Sequence, residues 1–461
     1  MTLRRVLPAF FLAVFLPLAA AGQDLRDLLT NFLSQGITLA ASPVFSHSAH
    51  FVSVLGQFEA FNQFNQSLAS QLASFPLPSS SGGFTYTYDP TLGTFTRGSE
   101  SFGPIFAERI DTVGRGKFNL GVNYSHFTFD RINDIDLDDN SLKLVFHHND
   151  TDQNGNDVHF FFEGDAIQAQ LKLKVTSDIG AFVATYGVTN NFDIGIAVPV
   201  VKVSLEPQSD LTINRLATGN DPVFRTVHQF RTGSDADPNC ASVTVDQETG
   251  CRQSGDASGI GDVLVRMKWR LTESSNAGVA LAADARFPTG REEDLLGTGV
   301  FQIKAFLIAS AHVGIFSPHI NAGYTWAIHR HRNQPEGSSG IPDEINYTGG
   351  FDLALGSRVT FAADVIGRTF RNTQIIEIVD TPFVANTANN VFNPNTPPVL
   401  VTTTLPQLTA RPGDLNTLLG SAGFKVNPVG NLLITLNALF SLTKKGLQDQ
   451  FTPVVGVDYA F

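Results

Sequence analysis

The stretch NLLITLNALFSLT, residues 431–443, decides the fold. Its even-numbered residues from Leu432 to Leu442 are all apolar, whereas Asn431, Thr435 and Asn437 place polar groups between them. A β-strand points successive side chains to opposite faces, so this pattern predicts a strand with one oily face and one wet face.

The same alternation recurs along the chain. Apolar and polar side chains alternate over residues 117–125, 262–271, 277–287 and 316–328. The polar faces carry mostly Asn, Ser, Thr, Gly and charges of both signs, rather than the many Lys and Glu of a soluble sandwich. A barrel with an apolar exterior and a polar lumen fits this composition better.

The connections between these segments alternate between short and long, as in a transmembrane barrel with periplasmic turns on one rim and extracellular loops on the other. Short turns are expected near residues 190, 273–275, 312–314, 355–357 and 428–431, and long loops over 131–164, 206–258, 288–298, 329–341, 372–413 and 444–450. We therefore predict an all-β fold, an antiparallel transmembrane β-barrel of about 12 strands with an N-terminal helical segment. A further hairpin at Asp157–Asp165 would raise the count to about 14.

Composition excludes several classes of protein. The 461 residues contain 31 Lys and Arg against 43 Asp and Glu, a net charge of −12 that disfavours nucleic acid as a partner. Mean hydropathy is only +0.02, and no stretch of about 18 apolar residues follows the N-terminus, so no transmembrane helix is expected.

The N-terminus has the order of a secretory signal peptide. Arg4 and Arg5 precede an apolar run, and the small residues 19–22 follow it. We assign residues 1–22 to the signal peptide and residues 114–461 to the barrel.

Residues 23–113 do not alternate like a barrel. Helical spacing of apolar residues predicts helices near 25–33 and 51–75, followed by a small hairpin around Asp89-Pro90. Two interpretations remain open: a plug folded into the lumen, and a periplasmic extension.

Three segments carry a family resemblance: Tyr186–Pro199, Gly259–Leu271 and Arg286–Gly290. Together they resemble the bacterial outer-membrane family of the phenol-degradation meta-pathway, often called simply transporters, over about Gly114 to Phe461. The resemblance implies a location in the outer membrane and a role similar to that of fatty-acid and aromatic-hydrocarbon channels. Its implied activity is passive uptake of small hydrophobic or aromatic solutes.

The last strand ends with Val455, Val457, Tyr459 and Phe461 on one face. This terminal aromatic strand resembles the assembly signal of outer-membrane proteins. We therefore expect two partners besides a small hydrophobic solute: outer-membrane lipid and the barrel-assembly machinery.

Charges on the predicted polar faces are the candidate lumen-lining or plug-contacting residues, and a static ladder of salt bridges is the alternative interpretation. They are Lys117, Asp193, Arg266, Lys268, Arg270, Asp284, Arg286, Lys304, His319, Asp352, Arg358, Asp364, Arg368, Lys425 and Asp458. Arg266, Lys268 and Arg270 form the densest basic row and are the best candidates to hold a plug or an acidic solute.

Two further sites lie on predicted outer loops. Asp150, Asp152, Asn154 and Asp157 resemble the first half of a calcium loop, but the bidentate twelfth ligand is missing, since Phe161 stands there. A structural calcium and a plain solvated loop are both possible, and no other cofactor is expected. Cys240 and Cys251 are expected to form a disulfide in an oxidising compartment.

The sequence shows no nucleophile elbow, phosphate loop or zinc-helix motif, so no enzyme is predicted. Two alternatives to a channel remain: a structural or adhesive barrel acting through its long loops, and an outer-membrane hydrolase with dispersed catalytic residues.

Overall fold

The computed structural model describes residues 24–34, 39–40, 51–53, 64–72, 79, 83–89, 94–97, 100–148, 161–219, 221–231, 240, 248–274, 276–328, 341–388, 393 and 395–461. Within these ranges, no helix is long and apolar enough to cross a membrane.

Twelve antiparallel strands close into a barrel. They are β1 Phe118–Phe129, β2 Ala166–Gly187, β3 Phe192–Asn214, β4 Val263–Glu273, β5 Ala277–Phe287, β6 Phe301–Ala311, β7 Phe316–Ile328, β8 Glu344–Gly356, β9 Val359–Asn386, β10 Leu400–Val429, β11 Leu432–Ser441 and β12 Thr452–Ala460. Each strand pairs with the next one along the chain, and β12 closes the ring on β1 through pairs such as Val457 with Val122. The prediction of a twelve-stranded antiparallel barrel is confirmed.

The outer surface of the barrel is apolar, as the alternation predicts. Leu436 is 53% exposed and Trp269 is 56% exposed, whereas their chain neighbours Asn437 and Lys268 are buried inside. A belt of exposed apolar side chains is favourable only against lipid. Closure of the barrel leaves no unpaired backbone edge, so the strands can lie in a bilayer. The protein is a transmembrane barrel of the bacterial outer membrane.

Two hairpins rise far above the extracellular rim. Strands β2 and β3 have 22 and 23 residues, and β9 and β10 have 28 and 30, against the roughly 9–11 that a tilted strand needs to span a bilayer. The predicted loops over 206–258 and 372–413 are therefore wrong in part. Their polar, proline-containing sequence indicated loops, but continuous cross-strand pairing, such as Ile376 with Ala410, keeps them extended.

The described residues also contain short elements besides the twelve barrel strands. They are strands Phe51–Ser53, Tyr86–Asp89, Thr94–Arg97, Arg131–Ile132, Ile135–Asp136, Leu142–His148, Glu248–Arg252, Gly255–Ile260 and Leu447–Gln448, and 3-10 turns Phe161–Gly164 and Phe224–Thr226. Strand Leu142–His148 pairs with β2, so the predicted loop over 131–164 also contains ordered pairing. Residues 157–160 of the alternative hairpin at Asp157–Asp165 lie outside the described residues, and Phe161–Gly164 form a 3-10 turn.

The N-terminal segment contains helix α1, Leu25–Ser34, and a helical stretch at residues 64–72. Their buried side chains Leu28, Phe64 and Leu68 join an apolar cluster with inward residues at the extracellular end of the barrel wall. Residues 101–113, called here the anchor segment, are buried among polar side chains nearer the periplasmic turns. Among the described residues, α1 and residues 64–72 thus lie nearer the extracellular end of the barrel, and the anchor segment lies nearer its periplasmic end.

Candidate functional site

The anchor segment is bonded to many strands of the barrel wall. The amide of Phe102 donates to Thr360 Oγ1 on β9 at 2.9 Å, and the amide of Ile110 donates to Ser310 Oγ on β6 at 3.2 Å. Asn321 on β7 brackets Glu108, accepting from its amide at 2.7 Å and donating to its carbonyl at 2.8 Å. These directional bonds fix the segment in one position across the lumen.

Glu108 lies at the first of two charge clusters. Its carboxylate contacts Arg266 and, at 3.2 Å, the Nζ of Lys268. Arg266 also donates from Nε and Nη2 to the two oxygens of Asp284, both at 2.7 Å. Lys268 additionally donates to the carbonyl of Asp111 at 2.7 Å. This cluster joins the anchor segment to β4 and β5.

Arg109 lies at the second cluster and is fully buried. It approaches Asp352 Oδ2 at 3.3 Å and Asp111 Oδ2 at 3.1 Å. Burial alone would raise the pKa of Asp111, but Arg109 and a hydrogen bond with His312 lower it to about 2. Beside this cluster, His319 Nε2 lies 2.6 Å from Asp364 Oδ1.

The three charged residues of the anchor segment were missed by sequence reasoning. Glu108, Arg109 and Asp111 belong to no period-two pattern or motif, because the segment crosses the lumen without forming a strand. The available signal was three charges in four residues within the otherwise uncharged stretch Phe102–Val113. Such charges inside a barrel need partners, because an unpaired buried ion is costly.

Two cavities lie beside the N-terminal segment. The inner cavity is lined by the anchor residue Phe106 and by side chains from β4 to β9. The outer cavity is mainly apolar and lies towards the extracellular rim, where its lining includes Leu72, Phe127, Leu419 and Phe440. Arg368 lines both cavities, and its guanidinium lies 4.6 Å from the ring centroid of Phe370.

Most of the predicted lumen charges point inward. Arg266, Asp284, Arg286, Lys304 and Arg368 line the inner cavity. The buried residues Lys268, His319, Asp352 and Asp364 contact the anchor segment or lie in its second charge cluster.

Other predicted positions lie near the periplasmic end. Asp193 accepts from the amide of Val113 at 3.0 Å, and Lys425 donates to the carbonyls of Phe102 and Pro104. Arg270 donates to the carbonyl of Asn190 at 3.0 Å. The placement of Arg358 in the lumen is wrong: it lies exposed on the turn between β8 and β9, where alternation no longer sets direction.

In the part of the chain that the structure describes, neither loop site holds a candidate metal centre. Asp150, Asp152, Asn154 and Asp157 lie outside them, and the described part of the chain holds no group of three potential His, Cys, Asp or Glu ligands. Cys240 and Cys251 form a disulfide that joins the outer loop to the strand Glu248–Arg252, which pairs with β3.

Comparison with known families gives a match over much of the barrel. Residues 148–373 match the family model described as "Putative MetA-pathway of phenol degradation". The predicted resemblance to this family is confirmed. No curated protein matches the chain.

Solved structures with similar folds are outer-membrane barrels. The COG4313 outer membrane channel of Pseudomonas putida F1 has 13% identity and a TM-score of 0.41, covering 76% of this chain and 98% of its own. The Ralstonia pickettii toluene transporter TbuX has 12% identity and a TM-score of 0.27, covering 76% of this chain and 90% of its own. Such distant likeness assigns no substrate to this chain.

Proposed function

We propose that the protein is an outer-membrane channel for passive uptake of small hydrophobic or aromatic compounds, and that residues 23–113 plug its lumen. The observation that carries the proposal is the pair of cavities beside the N-terminal segment, which meet at Arg368. Together they form an interrupted path along the barrel interior.

The outer cavity suits an apolar solute. Phe127, Phe129 and Leu439 contribute apolar surface to its lining. Its lining includes Phe440 and Leu418, whose strand positions alternate with the lumen-facing Leu439 and Leu419. The cavity therefore reaches both faces of the wall at the end of β11.

The plug role rests on how the anchor segment is held. Its charged side chains are buried against partners on the barrel wall. These bonds break together when the segment moves, so they stabilise the closed state of the proposed channel.

Uptake of benzyl alcohol tests the channel. Lipopolysaccharide in the outer leaflet of the vesicles slows passive entry of benzyl alcohol, and protein-free vesicles give the background rate. We expect the wild-type protein to raise the entry rate and Leu419→Trp to lower it by filling the outer cavity. Leu355→Trp, exposed at the periplasmic end, is the matched control and keeps the wild-type rate.

A rate equal to that of protein-free vesicles would contradict the channel and leave a structural or adhesive barrel. Release of product from an ester or peptide panel by the purified protein would favour the hydrolase instead.

We also propose that the C-terminal strand is read by the barrel-assembly machinery. Phe461 is 58% exposed, and its ring centroid lies 4.7 Å from that of Tyr459. Deleting Phe461 is expected to lower the amount of heat-modifiable barrel in the outer membrane, whereas Phe451→Ala, at an equally exposed position outside β12, is not.

A further inference from the structure

The loop between β5 and β6, residues 288–300, lies against helix α1 at the extracellular end of the barrel. Leu295 and Leu296 of this loop are buried in the same apolar cluster as Leu25 and Leu28 of α1. The backbone of Leu295 has a φ of 59°, in the left-handed region that non-glycine residues rarely adopt. Such a conformation persists where surrounding contacts hold it, so the packing on α1 fixes this turn of the loop.

Directional bonds also join the loop to α1. The amide of Arg26 donates to the carbonyl of Glu293 at 3.0 Å, and its Nη1 donates to Oε1 of Glu292 at 2.6 Å. Arg26 lies in the first turn of α1, where the amides have no acceptor within the helix, so the loop supplies one. Apolar packing has no direction of its own, so these bonds set the position of α1.

Asp262 closes the base of the loop. Its Oδ1 accepts from the amide of Gly290 at 3.1 Å, and its Oδ2 accepts from the amide and the hydroxyl of Thr298, both at 2.8 Å. Thr289 Oγ1 adds a bond to the carbonyl of Gly261 at 2.6 Å. One buried carboxylate thus ties both ends of the loop to the start of β4 through charge-assisted hydrogen bonds, which are strong. Gly261, Asp262, Thr289 and Gly290 belong to the segments that carry the family resemblance.

The contacts continue from α1 to the outer cavity. Asn65 Nδ2 donates to the carbonyl of Arg26 at 3.0 Å. Asn65 belongs to the helical stretch at residues 64–72, and Gln71 and Leu72 of that stretch line the outer cavity. A continuous series of contacts therefore runs from Asp262 through the loop and α1 to the outer cavity.

We propose that the β5–β6 loop is a latch that holds α1 in place and thereby limits entry of solute into the outer cavity, and that Asp262 is the residue that positions this latch. This proposal rests on the proposed channel and adds how its extracellular end is controlled. The anchor segment lies nearer the other end of the barrel, so release of the latch leaves its ion pairs in place.

Hydrogen exchange of the α1 amides in the purified full-length protein tests the latch. Asp262→Ala removes both acceptor oxygens at the base of the loop, so it is expected to speed this exchange roughly tenfold or more. Asp256→Ala, at an exposed position on the neighbouring strand Gly255–Ile260, is the matched control and keeps the wild-type rate. Exchange in the anchor segment should match wild type in both variants.

The pair of Arg26 and Glu292 tests the latch without changing a buried group, because its side chains are 32% and 37% exposed. Arg26→Glu and Glu292→Arg each bring like charges together, so each is expected to speed α1 exchange by up to about fivefold. The double variant restores opposite charges and should return exchange close to the wild-type rate. A structural defect unrelated to this contact would not be rescued by the second substitution.

Entry of benzyl alcohol into vesicles tests the control of uptake. A larger open population of α1 raises the entry rate in proportion, so Asp262→Ala is expected to admit benzyl alcohol several-fold faster than wild type. Asp256→Ala should admit it at the wild-type rate.

The outcomes separate the latch from the channel. Exchange of α1 at the wild-type rate in Asp262→Ala and in both single charge reversals would overturn the latch, and the reversals decide the matter if Asp262→Ala fails to assemble. Faster exchange with unchanged benzyl alcohol entry, at a rate above that of protein-free vesicles, would overturn control of uptake while the channel stands. If wild-type protein does not raise entry above background, the channel fails, and exchange alone decides whether the loop holds α1.

Discussion

The extracellular and periplasmic halves of the lumen hold the N-terminal segment in different ways. In the extracellular half, Leu28, Phe64 and Leu68 are buried in an apolar cluster. In the periplasmic half, Arg109 and Asp352 are equally buried but form an ion pair. Apolar packing is not directional, so it tolerates small shifts, whereas paired charges fix one position. Under the proposed function, the polar half sets closure and the apolar half leaves room for a solute.

Breaking the ion pairs of the polar half is expected to have the largest effect on closure of the lumen. Arg109→Leu leaves Asp352 and Asp111 buried without their cation, which costs about 3–5 kcal/mol. The anchor segment should then become sensitive to protease in detergent-solubilised protein, and the free energy of unfolding should fall. Arg115→Leu, exposed just beyond the segment, is the control. Equal protection of both variants would contradict the anchoring role.

A cavity in the apolar half is expected to have a smaller effect on closure. Leu68→Ala should lower the free energy of unfolding by about 2–5 kcal/mol, measured by chemical denaturation. Because apolar packing is not directional, protease sensitivity of the anchor segment should stay near that of wild type. Leu120→Ala, on the lipid-facing surface, should cost less. Cleavage of the anchor segment in Leu68→Ala would show that the two halves are not separable.

Acid is expected to weaken the ion pairs of the polar half alone. Its effect on closure of the lumen is expected to be the smallest of the three. The pKa of Asp111 is lowered to about 2, so its contribution is fully present above its unfolded pKa of about 3.9 and is lost as pH falls towards 2. Protease protection, tested with an acid-active protease, should persist at pH 5 and decline below pH 4. Asp111→Asn should abolish this pH dependence. A decline already complete at pH 5 would point to another group.

The barrel was predictable because its physical signal is local and repeated. Alternation such as that from Leu432 to Phe440 follows directly from strands that face lipid on one side. The tall ends of β9 and β10 were not predictable, because pairing such as Ile378 with Leu408 depends on a partner about 30 residues away. The pattern also misplaced Arg358, because a turn ends the alternation that fixes side-chain direction.

Only the site residues on the barrel strands were predictable from the sequence. Arg266, Lys268 and Asp352 were found from their strand positions, but their partners Glu108 and Arg109 lie on a segment whose path is set by those same contacts. No local propensity encodes a chain that crosses a lumen. The N-terminal segment therefore shows where tertiary contacts, rather than local pattern, specify structure.

Planar-bilayer conductance tests the plugged channel most directly. The variant Glu108→Gln, Arg109→Gln, Asp111→Asn removes the charges of the anchor segment, and Arg115→Gln serves as control. We predict a low, steady conductance for wild type and Arg115→Gln, and larger, fluctuating openings for the triple variant. A triple variant that is correctly assembled and as silent as wild type would contradict the claim that these residues hold the lumen closed.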